Sequence, residues 1–134
     1  MAIQIGINGF GRIGRVAFRI AIDKPEEFHL CGINVRNANL EYMVYMIRYD
    51  SIFGRFQGTL DTYENGIVVN GQKIPVYSES DASLIPWGEC GAEYIIDATG
   101  AFKGYKMDDV NAPSLKAGAI SDTATYGSQA SLTV

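Results

Sequence analysis

The stretch Ile3-Gln-Ile-Gly-Ile-Asn-Gly-Phe-Gly-Arg-Ile-Gly14 decides the fold of this chain. Its isoleucines alternate with other residues up to Asn8, which predicts a short buried strand over residues 2–8. Glycines then cluster in residues 9–14, and a helical pattern begins at Arg12. This order predicts a strand, a glycine-rich turn and a helix start, which together open a βαβ unit.

The helix predicted over residues 12–22 has an apolar and a more polar side. Lys24-Pro25 ends it, because the residue before a proline avoids the helical conformation. Residues 28–34 predict a second strand, which completes the unit and lies parallel to the first. The apolar side of the helix is predicted to carry Ile13, Val16, Ala17 and Ile20, and the polar side Arg12, Arg15 and Arg19.

The middle of the chain alternates further helices and strands. Residues 40–49 predict a helix, and residues 59–63, 66–69 and 73–77 predict short strands joined by Asn-Gly turns. These three strands predict a small antiparallel insertion in an otherwise alternating pattern. A helical turn is predicted over residues 82–87 and a buried strand over 94–97. The apolar face of the helix at 40–49 is predicted to be Tyr42, Met43, Met46 and Ile47.

Composition bounds the classes of function. The chain has 134 residues, 47% of them hydrophobic and 19% charged, which is typical of one globular domain. Its net charge of −4 argues against nucleic acid or an anionic membrane as a partner, because both attract clustered Lys and Arg. Only two cysteines are present and no secretion signal opens the chain, so we expect a reducing, cytoplasmic setting.

The turn at residues 9–14 fits the pattern G-x-G-x-x-G between a strand and a helix, the context in which this pattern is informative. Gly9 permits the tight turn, Gly11 lets a pyrophosphate approach the backbone, and Gly14 lets the helix pack closely. The helix N-terminus then offers unpaired N–H groups to the phosphates. We therefore predict a dinucleotide site; the alternative is a plain strand–turn–helix whose glycines serve packing alone.

The end of the second strand is expected to supply a carboxylate for the adenosine ribose, but it reads Ile33-Asn-Val-Arg36. Arg36 lies where a guanidinium can hold a 2′-phosphate in a bidentate manner. An ordinary surface residue is an equally good interpretation of Arg36. NAD and NADP therefore both remain candidate cofactors.

Several segments resemble glyceraldehyde-3-phosphate dehydrogenase. The opening string up to Arg15 is very similar to the start of that family, and the similarity extends from about Ile3 to Phe102. Further similar segments are residues 40–46, 49–51, 87–88, 91–94 and 99–102. The resemblance implies an NAD(P)-dependent oxidoreductase of glycolysis, tetrameric in the family, whose amino-terminal Rossmann domain holds the cofactor.

Carried over residue by residue, the resemblance places the turn at the pyrophosphate, Asn34 and Val35 at the adenosine ribose, and three later residues near the nicotinamide. The expected cofactor-binding residues are Asn8, Gly9, Phe10, Gly11, Arg12, Ile13, Asn34, Val35, Arg36, Thr99, Gly100 and Phe102.

Four departures from the family pattern stand out. Val35 occupies the position of the usual Asp, which leaves NADP open, and Ser80 replaces an Arg found near the adenine in many members. The similarity fades after Phe102, where residues 120–124 are a poor substitute for the expected apolar strand. The chain ends before the catalytic domain of the family.

No catalytic residue is predicted. The Ser-Cys-Thr-Thr-Asn segment that carries the family's nucleophile does not occur in the chain. Cys31 is interpreted as a small buried side chain, and Glu89 and Glu93 are expected to raise the pKa of the Cys90 thiol. The cysteines and His29 lack the spacing of a metal site. The chain alone is therefore expected not to oxidise the aldehyde.

The fold class predicted is α/β: a Rossmann-type parallel sheet with helices on both faces and a small antiparallel insertion, incomplete at its C-terminal end. Residues 1–102 are predicted to form the dinucleotide-binding domain. Residues 103–134 are predicted to form a divergent tail, with a loose helix near 107–116. Two functions remain open: the cofactor-binding part of such a dehydrogenase, or a non-catalytic truncated relative that binds a nucleotide or a protein partner.

Overall fold

A computed structural model of the chain describes residues 2–50, 54–80, 84–98, 121–126 and 129–130, the last two ranges by their backbone. The predicted domain boundary at Phe102, the predicted site residues Thr99, Gly100 and Phe102, and the helix predicted near 107–116 lie outside the described residues.

In chain order the described elements are β1 (Ile3–Asn8), α1 (Arg12–Asp23), β2 (Phe28–Asn34), α2 (Leu40–Arg48), β3 (Tyr49–Asp50), β4 (Gly54–Arg55), β5 (Leu60–Tyr63), β6 (Gly66–Val69), β7 (Gln72–Tyr77), α3 (Trp87–Cys90), β8 (Tyr94–Asp97), β9 (Ser121–Tyr126) and β10 (Gln129–Ala130).

Parallel strands form the centre of the main sheet. Its order is β10-β9-β8-β1-β2-β7-β6-β5, and the run from β9 to β7 is parallel throughout. The carboxyl ends of β1, β2 and β8 lie side by side, because Asn8 is in register with both Asn34 and Asp97. The predicted Rossmann-type α/β class is confirmed, and the neighbouring strand ends define one edge for a ligand.

Two hydrophobic clusters cover the two faces of the sheet. The larger cluster packs α1 and α2 against the sheet through fully buried side chains such as Phe18, Ile33 and Ile47. The smaller cluster is centred on Trp87 of α3, which is 0% exposed. Gly6 and Gly32 leave room for that indole, since a Cβ at either position would contact it. Helices therefore lie on both faces, as predicted.

The buried face of α1 differs from the predicted one. Phe18, Arg19 and Ala21 are buried, whereas Ile20 is 47% exposed. The sequence prediction that put Arg19 on the polar side is wrong. The reason is tertiary: the side of α1 that carries Arg19 meets the C-terminal end of α2, where Arg19 donates hydrogen bonds to backbone carbonyls.

The buried face of α2 is also shifted from the prediction. Met43, Val44 and Ile47 are buried, while Tyr42 is 59% exposed. Tyr42 instead stacks on Tyr45 along the outer side of the helix, with ring centroids 6.4 Å apart. An apolar aromatic residue at helical spacing does not identify the buried face when a neighbouring valine packs better against the sheet.

The antiparallel insertion is present, with one addition that periodicity did not predict. β5, β6 and β7 form a meander, and β7 also pairs in parallel with β2 through Ile33 and Asn34. β7 thus joins the insertion to the central sheet. This pairing brings the segment that follows Tyr77 beside the carboxyl end of β2.

The helical turn predicted over residues 82–87 is described only in part: Leu84 lies in a 3₁₀ turn and Trp87 begins a separate short helix. α3 spans Trp87–Cys90 and begins directly after Pro86, while residues 81–83 are not described. Proline is tolerated at a helix start because the N–H it lacks has no partner there. Gly91, with a φ of 85°, ends the helix in the left-handed conformation that glycine adopts without strain.

A strand does follow β8, although residues 120–124 are, in sequence, a poor substitute for the expected apolar strand. Residues 121–126 form β9, which pairs in parallel with β8 from Tyr94 to Asp97. Backbone groups at a sheet edge pair without needing an apolar sequence, and Thr and Tyr favour strands.

None of the helices in the described part of the chain has the length and apolar character to cross a membrane.

Candidate functional site

An open cleft of about 550 Å³ lies at the carboxyl ends of β1 and β2. Seven of the residues predicted to bind a cofactor line it together, although they come from two separate parts of the sequence. They are Asn8, Gly9, Phe10, Gly11, Asn34, Val35 and Arg36. The cleft thus lies where the βαβ unit predicts a nucleotide site.

The glycine turn has the geometry that its three glycines predict. Gly9 has a φ of 99°, which other residues rarely adopt, and its N–H donates to the Asn34 carbonyl at 2.8 Å. Gly14 lies directly under the turn, because a Cβ on Gly14 would overlap the Gly9 carbonyl oxygen. The turn and the start of α1 are therefore packed together as one rigid unit.

Gly11 faces open space at the start of α1. A Cβ built on Gly11 would meet nothing within 4 Å, so the backbone here is open to a ligand. The first turn of α1 has no side-chain cap and no acidic residue, whereas Asn39 caps α2. Since the first N–H groups of a helix lack intrahelical partners, this end of α1 is suited to an anion.

A chain of buried side chains joins the three strand ends beneath the turn. The Asn34 amide nitrogen donates to Asn8 Oδ1 at 3.0 Å, and Asn8 Nδ2 donates to Asp97 Oδ1 at 3.3 Å. Asn34 also donates to the Glu79 carbonyl and accepts from the Glu79 N–H. Both amide hydrogens of Asn34 are thus bonded within the protein, and the side chain holds β1, β2 and the segment after β7 together. Only its acceptor capacity is left for a ligand.

Two of the residues predicted at the turn do not line the cleft, and a third lines it but is mostly buried. Arg12 is exposed and Ile13 half-buried, and neither lines the cleft. Phe10 lines the cleft and is 7% exposed, and its ring packs edge-on against Phe18 at 5.7 Å. The Phe10 ring therefore anchors the turn to the hydrophobic core.

The charges on the cleft wall come from two side chains. Arg36 follows β2 and Glu79 follows β7, and both are exposed and line the cleft. Val35 is half-buried and packs against the core, and its backbone N–H donates to the Tyr77 carbonyl at 2.8 Å. The position expected to carry a ribose carboxylate is thus apolar, while a carboxylate and a guanidinium line the same cleft.

Sequence reasoning missed several residues that line the cleft, and only one of them had a usable signal. Asn39 precedes a helical run, which marks it as a helix N-cap, and its side chain accepts from the Tyr42 N–H. Asn37 lies in the loop directly after Arg36, and the rest reach the cleft through the packing of α2 and β7. The missed lining residues are Asn37, Asn39, Tyr42, Met43, Met46 and Glu79. Ser80, at the position where the resemblance has an Arg near the adenine, also lines the cleft.

Neither cysteine lines the cleft, since both belong to the cluster around Trp87 on the opposite face. The prediction that carboxylates raise the pKa of Cys90 is wrong. A hydrogen bond from Cys31 lowers the pKa of the Cys90 thiol to about 7, against the opposing effect of burial. The same hydrogen bond and burial raise the pKa of Cys31. Within the described ranges, no three His, Cys, Asp or Glu side chains are grouped to hold a metal ion.

Comparison with known proteins gives one consistent result. Residues 3–105 match the family described as glyceraldehyde 3-phosphate dehydrogenase, NAD binding domain. Over 102 residues, 76% of this chain, the sequence is 50% identical to a glyceraldehyde-3-phosphate dehydrogenase of Lentinula edodes and 49% identical to one of Aspergillus niger. The chain spans about 30% of the length of these curated relatives.

Proposed function

Because the chain belongs to the glyceraldehyde 3-phosphate dehydrogenase family through its NAD-binding domain, we propose that the cleft at the ends of β1 and β2 is its dinucleotide site. The observation that carries the proposal is the open, uncapped start of α1 beside a turn held rigid by Gly9 and Gly14. A pyrophosphate there would accept hydrogen bonds from the first N–H groups of α1 and lie at the positive end of its dipole.

The adenosine half of the ligand would occupy the part of the cleft between Val35 and α2. Met43 and Met46 supply an apolar wall against which a purine can pack. The ribose would then lie near Val35, with Arg36 and Glu79 as the charged groups that line the same cleft. Arg36 favours a 2′-phosphate and Glu79 opposes it, so we propose that the site accepts both NAD and NADP.

We propose that the described part of the chain binds the dinucleotide. The thiol needed to oxidise an aldehyde is not Cys31 or Cys90. Cys31 and Cys90 both lie on the face of the sheet away from the cleft. Oxidation of an aldehyde through a thioester needs a thiol that touches the substrate beside the nicotinamide. In this proposal that thiol belongs to a catalytic domain of the kind found in the complete dehydrogenases.

Replacing Gly11 by aspartate tests the phosphate subsite. We expect Gly11→Asp to weaken NAD binding tenfold or more, which is about 1.4 kcal/mol, because the new carboxylate repels the pyrophosphate. The fold should be unaffected, since Gly11 has an extended backbone with a φ of −79° and open space around its Cα. Aspartate is in fact a good helix N-cap. Isothermal titration calorimetry and thermal melting measure the two effects.

The matched control is Gly11→Asn, which has almost the same size and also caps helices but carries no charge. It should bind NAD more tightly than Gly11→Asp at the same melting temperature. Unchanged NAD affinity in both variants would place the pyrophosphate elsewhere and overturn the proposed site.

Cofactor choice is tested at Val35 and Arg36. We expect Val35→Asp to raise the affinity for NAD about tenfold or more, because a hydrogen bond from a ribose hydroxyl to a carboxylate contributes about 1.5–3 kcal/mol. The same carboxylate should weaken NADP binding by repelling its 2′-phosphate. Arg36→Ala should weaken NADP and leave NAD nearly unchanged. Calorimetric titration of each variant with both cofactors gives the four affinities.

Val35→Asn is the uncharged control and should change the preference far less than Val35→Asp. If Arg36→Ala lowers both affinities equally, Arg36 contacts something common to the two cofactors and the proposed 2′-phosphate contact is wrong.

A further inference from the structure

Cys31 and Cys90 lie together although they are far apart in the sequence. Cys31 is on β2 and Cys90 ends α3, and both pack in the cluster around Trp87. Each thiol also changes the pKa of the other, upward for Cys31 and downward for Cys90. Both cysteines are free. The fold thus builds a thiol pair on the face of the sheet opposite the cleft.

The two thiols have different surroundings. Cys31 is 6% exposed, and its Sγ also donates to the Gln4 Oε1 atom at 3.1 Å. Cys90 is half-buried and thus more exposed than Cys31. Cys31 is therefore the buried thiol, and Cys90, whose Sγ donates to the Trp87 carbonyl at 3.5 Å, is the more exposed one.

We propose that Cys90 and Cys31 form a redox-active pair that a hydroperoxide oxidises to a reversible disulfide, with Cys90 reacting first and Cys31 resolving the product. In the first step the Cys90 thiolate attacks the peroxide: an S–O bond forms, the O–O bond breaks, and the sulfur loses two electrons to the peroxide, which leaves as water or an alcohol. In the second step the Cys31 sulfur attacks the Cys90 sulfenic acid. The S–S bond forms and the displaced hydroxide leaves as water with the Cys31 proton.

The electrostatics of the pair agree with this order of events. The groups around the sulfurs are His29 on β2, Tyr77 on β7, and Glu89 and Glu93 beside α3. Hydrogen bonds from Cys31 and from backbone N–H groups outweigh burial, so the Cys90 thiolate is well populated near neutral pH. The more exposed thiol is thus the nucleophilic one.

The experiment treats the purified 134-residue chain with hydrogen peroxide, blocks remaining thiols by alkylation, and maps peptides by mass spectrometry without reduction. We expect a Cys31–Cys90 linked peptide that dithiothreitol removes. Cys31→Ser keeps a hydrogen-bond donor but cannot resolve, so it should accumulate a Cys90 sulfenic acid that dimedone traps. Cys90→Ser should show oxidation of Cys31 at least about ten times slower than that of Cys90.

A pH profile separates the electronic role of Cys31 from a structural one. The alkylation rate of Cys90 should have its midpoint near its pKa of about 7 in the parent chain. Cys31→Ala removes the donor and should move the midpoint to higher pH, whereas Cys31→Ser should stay closer to the parent. Circular dichroism verifies that each variant is folded. Two results would overturn the proposal. One is dimedone labelling of Cys31 in Cys90→Ser as fast as Cys90 is oxidised when it is present. The other is that disulfides form only between chains.

Discussion

Replacing Gly14 by alanine is expected to lower the free energy of unfolding by about 2–3 kcal/mol, the usual cost of forcing an extra methyl group into a packed site. Alanine is the better helix former by about 1 kcal/mol, so helix propensity alone predicts the opposite sign. The steric term dominates because the new Cβ would overlap the Gly9 carbonyl oxygen, which is backbone and cannot rotate away. Moving that carbonyl also breaks the fit between α1 and the turn, so NAD binding should fall as well. Urea denaturation measures the first effect and calorimetry the second.

Gly11→Ala is the matched control for Gly14→Ala. It adds the same methyl group three residues earlier, where a Cβ meets nothing within 4 Å. Because alanine is a poorer helix N-cap than glycine, we expect a loss of at most about 1 kcal/mol, smaller than that of Gly14→Ala. Equal stability of Gly14→Ala and the parent would mean that α1 can move away from the turn without cost, contrary to the rigid unit described above.

Replacing Arg19 by methionine is expected to cost about 3 kcal/mol of stability, because hydrogen bonds from charged donors contribute about 1.5–3 kcal/mol each and do not add fully. The Arg19 guanidinium donates to the Ile47 carbonyl at 2.7 Å and to the Gly54 carbonyl at 3.0 Å. The Ile47 carbonyl belongs to the last turn of α2, where carbonyls lack intrahelical partners and the helix dipole favours a cation. The guanidinium also lies over the Phe56 ring, 5.0 Å from its centroid. Thermal and urea unfolding measure the loss.

Two further substitutions interpret the Arg19 result. Arg19→Lys keeps the charge but offers one ammonium in place of a planar fork, so it should lose part of the stability and less than Arg19→Met. Arg12→Met makes the same exchange at an exposed position of the same helix, and a change within about 0.5 kcal/mol is expected. A loss in Arg12→Met as large as in Arg19→Met would attribute the effect to helix α1 in general and not to the carbonyl contacts.

Local pattern predicted most of the central fold because the local and tertiary preferences agree there. β2 and β8 have the predicted bounds, and β1 begins one residue later than predicted. The agreement is close because short alternating or continuous apolar runs between turn residues are typical of strands. The hairpin turn at Asn70-Gly71 was also readable, and Asn70 has the positive φ of 52° that such turns require. The turn predicted at Asn65-Gly66 is one residue off, because the β5–β6 turn is Glu64-Asn65 and Gly66 already pairs within β6. The strand β9 escaped prediction, because edge pairing with β8 satisfies a backbone whose side chains carry no apolar signal.

The sequence predicted the residues that β1, the glycine turn and the end of β2 contribute to the candidate site, but it missed those from α2 and from the segment after β7. The turn residues could be named because each glycine answers a requirement of the turn itself: positive φ at Gly9, open space at Gly11 and close packing at Gly14. Glu79 could not, because it enters the cleft only through the parallel pairing of β7 with β2. The hydrogen bonds by which Asn34 holds the strand ends together likewise depend on the backbone of Glu79, which lies 45 positions away.

The sequence by itself determined the strand–turn–helix that opens the chain and the conformation of its glycine turn, because both depend on residues that are near one another along the chain. Only the tertiary structure decided which arginine of α1 is buried, where Glu79 lies, and that Cys31 and Cys90 share a hydrogen bond that lowers the pKa of Cys90. These outcomes depend on distances between segments, and a guanidinium or a thiol takes its charge state and its partners from whichever segment the fold brings against it.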